Sequence, residues 1–76
     1  MDIYVAVFDQ AESTVSAIVG AFSTEDKARA ACQAEEDEDA EVTGMPAIRL
    51  AWTYNIANMP DGSAYTWFRA NLNHRS

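Results

Sequence analysis

Six carboxylates fall within seven consecutive positions, Glu35, Glu36, Asp37, Glu38, Asp39 and Glu41, interrupted only by Ala40. No basic residue stands between Ala30 and Ile48. Carboxylates this dense serve one of three chemistries: holding a hard cation, dividing into acid and base for proton transfer, or presenting an anionic surface to a cationic partner. Spacing separates the three. A calcium loop of the EF-hand type would take Asp37, Asp39 and Glu41 as its alternating first ligands, then require glycine at the sixth position and glutamate at the twelfth. Those positions hold Val42 and Ile48, so the pattern fails and no metal is expected. Acid–base work needs an apolar environment that drives two pKa values apart, and a crowded polar stretch offers none. The remaining reading is an anionic surface. Its carboxylates would stand in for nucleic-acid phosphates and meet the basic groove of a protein that normally holds DNA or RNA.

The other reactive side chains add little. His74 is the sole histidine and lies two residues from the end of the sequence. Cys32, the sole cysteine, cannot form an internal disulfide, and it falls among alanines, where a small buried residue is expected rather than a thiolate nucleophile. The glycines at 20, 44 and 62 are too far apart for a phosphate-cradling loop. Neither catalysis nor a cofactor is expected.

The elements that position these groups are legible from their periodicity. Asp2 to Asp9 alternates Ile3, Val5 and Val7 with Tyr4, Ala6 and Phe8, a strand apolar on both sides. A polar turn, Gln10 to Ser13, leads to a second strand over Thr14 to Phe22, and the pair is expected to form an antiparallel hairpin. Ser23-Thr-Glu-Asp26 reads as a helix start with Ser23 as N-cap, followed by alanine-rich helix to Ala34. The acidic run then meets the negative end of the helix dipole, so the helix is expected to fray or stop between Glu35 and Asp39. Val42 to Pro46 is a connector. Ala47 to Ala57 alternates Ile48, Leu50, Trp52, Tyr54 and Ile56 with smaller or polar residues and reads as a third strand, with Leu50 and Ile56 in the core. Asn58 to Ser63 is a Pro/Asp-Gly turn, Ala64 to Leu72 a fourth strand, and Asn73 to Ser76 a polar tail.

The expected fold is therefore α+β: one domain spanning residues 1–76, with a four-stranded antiparallel sheet of order β-β-α-β-β along the chain and one helix on one face. Such a sheet has a second face with nothing over it. Tyr4, Phe8, Tyr65 and Trp67 are the aromatics expected to form an association face there, because exposed apolar patches and aromatic side chains mark contact surfaces. Trp52, Tyr54, Tyr65 and Trp67 also suggest a base-stacking platform, but the basic groove that such a platform needs is missing.

Composition narrows the partner. The remaining six acids are nearly offset by five basic residues, so the run carries almost all of the formal charge of −7. That charge disfavours direct contact with nucleic acid or anionic lipid. No apolar stretch approaches the length of a membrane span, and the start Met-Asp-Ile-Tyr-Val lacks the features of a signal peptide, so a cytoplasmic location is expected. At 49% hydrophobic residues the chain is too apolar for a disordered acidic tail and is expected to fold.

The segments I-Y-V-A-V-F-D and A-I-V-G-A-F-S-T-E-D-K-A-R-A-A-C resemble small phage and bacterial proteins that open with a short hairpin, then Phe-Ser-Thr-Glu, then an alanine-rich helix. In size, acidity and lack of catalytic residues the whole chain also resembles phage anti-CRISPR proteins and other DNA-mimicking inhibitors of host defence. That resemblance implies a non-enzymatic inhibitor in the cytoplasm of a bacterial host, with Glu35, Glu36, Asp37, Glu38, Asp39 and Glu41 binding the basic groove of a nucleic-acid-binding protein or a CRISPR effector complex. The alternative is a homo-oligomeric structural or adaptor domain, a homodimer through the aromatic face, in which the acidic run only confers solubility.

Overall fold

The computed structural model describes residues 2–12, 14 and 16–71. The expected tail with His74, and Ser13, Val15 and Leu72 of the expected turn and strands, lie outside the described residues. Four strands form one antiparallel sheet: β1 (Asp2–Asp9), β2 (Ser16–Phe22), β3 (Ile56–Asn58) and β4 (Ala64–Asn71), in spatial order β2-β1-β4-β3. A single helix, α1 (Glu25–Thr43), joins β2 to β3 and packs on β1, β2 and β4. The α+β architecture is the expected one. The hairpin pairs Tyr4 with Phe22 and Ala6 with Gly20, then slips by one residue so that Val7 faces Ile18, leaving Val19 as a bulge.

The helix departs from expectation at both ends. Thr24, not Ser23, is the N-cap: its hydroxyl accepts the Lys27 N–H at 3.1 Å. At the other end α1 runs through the whole acidic run and stops only at Gly44, whose φ of 74° is the left-handed geometry of a helix C-cap. Repulsion between carboxylates is worth a few tenths of a kcal/mol per pair. Tertiary anchoring exceeds it, because Ala28, Cys32, Glu36 and Ala40 form one buried stripe along the helix.

The expected third strand over Ala47 to Ala57 is a second correction. Only Ile56–Asn58 is strand, and the chain before it runs as an irregular connector over the helix side of the sheet. Its backbone groups are satisfied by the helix in place of a neighbouring strand. Gln33 Nε2 donates to the Ile48 carbonyl at 2.8 Å, and Gln33 Oε1 accepts the Leu50 N–H at 2.9 Å. Tyr54 then takes a positive φ of 54° and turns the chain into β3. Arg29 holds that turn: its Nη2 donates to the Tyr54 carbonyl at 2.9 Å, and its guanidinium lies 5.3 Å from the centre of the Trp67 ring. Leu50 is buried as expected, whereas Ile56 is half-buried and its neighbour Ala57 takes the core position.

The core consists of Ala6, Ala28, Cys32, Leu50, Ala57, Tyr65 and Trp67, with Tyr4, Phe8, Val19, Phe22, Trp52 and Met59 packed against it. The ladders pair Phe8 with Tyr65 and Ala6 with Trp67, so these side chains share the face that the helix covers. The aromatics expected on the open face are thus under the helix. Trp67 and Tyr65 are 1% and 4% exposed, too little to serve as association residues. The uncovered face is the other one. Val5 lies beside Phe68 and Ala21, Val7 beside Thr66 and Ile18, Ile3 beside Ala70, and Ile56 beside Thr66.

Candidate functional site

Because α1 continues through the acidic run, the six carboxylates are distributed around a helix instead of along a loop. Successive residues step about 100° around the axis, and the packing fixes which way each one looks. Glu36 points inward and is 5% exposed; its Oε2 accepts the Ile48 N–H at 3.3 Å. It holds the connector and is withdrawn from the surface expected to bind a partner. A charge this buried is tolerated only where it is hydrogen-bonded.

The other five carboxylates are exposed. Glu35 and Asp39, one turn apart, overhang a cleft of about 400 Å³ between the helix and the β1–β2 side of the sheet. Phe8, Val19, Met59 and Tyr65 give this cleft an apolar floor, and Asp61 adds a carboxylate at its far rim. Asp37 lies on the opposite flank, where its Oδ1 accepts from Gln33 Nε2 at 3.0 Å and where Arg49 lines the same depression. Glu38 and Glu41 fall on neither flank. The exposed acids therefore wrap the C-terminal half of the helix. At 1.5 Å per residue, the seven residues 35–41 span about 10 Å, so five charges average about one per 2 Å of axis; duplex DNA carries one per about 1.7 Å.

The electrostatic effect is visible on the groups beneath. Burial pushes the Tyr65 phenol up to about 12, with the charges of Glu36 and Glu35 adding to the rise. Burial, then Glu35, pushes the Cys32 thiol up to about 11, which leaves it protonated and unreactive at neutral pH. The single ion pair among the described residues, Arg29 to Asp26 at 3.6 Å, lies at the helix start, away from the acidic run. No group of three or more potential metal ligands converges among the described residues, and no helix there is long and apolar enough to cross a membrane.

Two features of the site were not anticipated from the sequence. Asp61, assigned only to a turn, joins the cleft because Ser63 ties that turn to the hairpin, its Oγ accepting the Ala11 N–H at 3.0 Å. Gln33 has the larger effect, since it orders the connector beside the acidic helix. A glutamine on the inner edge of an amphipathic helix is the only local sign of it. No protein-family model, no curated protein and no solved structure matches this chain.

Proposed function

We propose that this chain is a non-enzymatic inhibitor that binds the basic groove of a nucleic-acid-handling protein through the C-terminal half of α1, in the manner of a phage anti-CRISPR protein. The observation that carries the reading is the linear charge density. Five exposed carboxylates around a rigid rod of about 10 Å reproduce, over a short length, the charge spacing of a duplex. Glu35, Asp37, Glu38, Asp39 and Glu41 are the contact residues, and Glu36 supports them from inside. The cleft adds a seat of a different kind. Its apolar floor suits the aliphatic stem of a lysine or arginine, and the carboxylates of Glu35, Asp39 and Asp61 suit the charged head.

The test is capture of partners from a bacterial lysate by the immobilised chain, washed at low and at high salt. The expected partner is a nucleic-acid-binding protein that high salt releases and that added duplex DNA displaces. A variant with Asp37→Asn, Glu38→Gln, Asp39→Asn and Glu41→Gln is expected to lose it while keeping its helix content. Undiminished capture by that folded variant would sink the proposal.

A further inference from the structure

The sheet face away from α1 is apolar apart from Thr66 and the Asp9–Ser16 end, and nothing among the described elements lies over it. Ile3, Val5 and Val7 of β1 form its central row, flanked by Ile18 of β2 on one side and by Phe68 of β4 and Ile56 of β3 on the other. Ile18 is 76% exposed and Phe68 52%. A sheet with one face in water normally alternates apolar with polar residues. Here the central strand carries β-branched residues toward the open side as well, a pattern that belongs to strands buried on both faces. The only charged group of β1 on that side is Asp9, at the end of the face, where it accepts from the hydroxyls of Ser16 and Thr66.

We infer that this face is covered by a second copy of the chain, giving a two-fold dimer in which two sheets stack and the two helices lie outside. Charge selects the occupant. The middle of the face is uncharged, with no cationic rim to attract an acidic partner, and the formal charge of −7 turns away anionic lipid and nucleic acid. An apolar sheet face can pack against the same face of a second copy, as an isologous contact requires. Self-repulsion does not prevent the contact: stacked sheets lie about 10 Å apart and each helix adds a layer about 10 Å thick, so the acidic helices sit roughly 30 Å apart, about three Debye lengths at 0.1 M salt. Area sets the strength. Strands of 8, 7, 3 and 8 residues, at about 4.8 Å spacing and about 3.4 Å rise, give a footprint of roughly 420 Å² per copy. Doubled, it comes to about 850 Å², the size of a weak, transient interface and well short of an obligate one. The inference stands independently of what the acidic helix binds.

Sedimentation equilibrium of the full chain across the micromolar range is the experiment. The expected result is a mass rising from 8.4 kDa toward twice that value with concentration. Ile18→Glu with Phe68→Glu, both at exposed positions, is expected to weaken association by about 100-fold or more, with the circular dichroism spectrum retained, and Phe68→Glu alone, which leaves untouched the cleft that Ile18 also lines, is expected to weaken it as well. A mass of 8.4 kDa throughout, or equally tight association by the folded double variant, overturns the inference. A wild-type measurement covers the case in which the variant does not fold. Isotope-filtered NMR on a mixture of labelled and unlabelled chains is expected to show intermolecular contacts between the Phe68 ring and the valine or isoleucine methyls of the open face. Intermolecular contacts confined to α1 or to the β2 edge also overturn it.

Discussion

Gln33 Oε1 accepts the backbone N–H of Leu50 at 2.9 Å, and this bond, with its companion to the Ile48 carbonyl, is what fixes the connector to the helix. One side-chain amide occupies the place that a neighbouring strand would otherwise fill. Gln33→Ala leaves a part-buried donor and a part-buried acceptor unpaired, and is expected to cost about 2–4 kcal/mol. Urea unfolding measures it. A cost below about 0.5 kcal/mol would mean that water replaces the amide without loss.

Leu50 brings the same connector into the core, 6% exposed among small residues and two large aromatics. Leu50→Ala is expected to destabilise by about 2–5 kcal/mol, enough to unfold much of a domain this small at room temperature. A midpoint in urea close to that of the wild type would place the side chain outside the core.

The hairpin and the Asp61-Gly62 turn were legible in the sequence, and the helix start to within one residue, because each rests on local preference or on alternation over a few residues. The stretch from Ala47 to Ala57 was not. Its alternation of Ile48, Leu50, Trp52, Tyr54 and Ile56 is genuine, but alternation reports which side chains are apolar, not where the backbone finds hydrogen-bond partners. Gln33 supplied those from the helix, and the positive φ of Tyr54 reversed the chain before a strand could form. Likewise, helix propensity and charge argued for fraying after Ala34, whereas the inward stripe of Cys32, Glu36 and Ala40 and the cap at Gly44 decided otherwise. The acidic residues were evident; that Glu36 alone among them turns inward required the helix to be seen against the sheet.

The raised pKa values of Tyr65 and Cys32 make stability fall at high pH. The unfolded phenol titrates near 10 and the folded Tyr65 near 12, so the unfolded chain gives up its proton first and the native state weakens as pH climbs between those values. Cys32 acts in the same direction from about 9 to about 11. Below pH 9 both contributions are fully present. Melting temperatures across pH 8 to 12 in the wild type and in Cys32→Ala check the sign: the variant is expected to hold its stability further into alkali. An identical decline in both chains would remove Cys32 from the account.

Neutralising the outward acids relieves repulsion without touching the core. Glu38→Gln with Glu41→Gln is expected to raise stability by a few tenths of a kcal/mol at low salt, and the gain is expected to shrink as salt is added. Glu36→Leu behaves oppositely, because it deletes the acceptor for the Ile48 N–H and leaves that group unpaired. Thermal melts of the two variants side by side separate the surface carboxylates from the structural one.

The bulge at Val19 has a bearing on how large any assembly grows. A regular strand at the rim of a sheet is a template on which further strands add without limit, and fibres result. Here the rim formed by β2 is kinked where Val7 slips past Gly20 to face Ile18, and the opposite rim is only the three residues of β3. Neither offers a long straight ladder. Lateral growth is disfavoured at both borders, whereas the stacking inferred above would use up its own surface once two copies had met. Association in the inferred manner would be self-terminating, even though the valine and isoleucine row of β1 would otherwise place the chain among sequences prone to fibril formation.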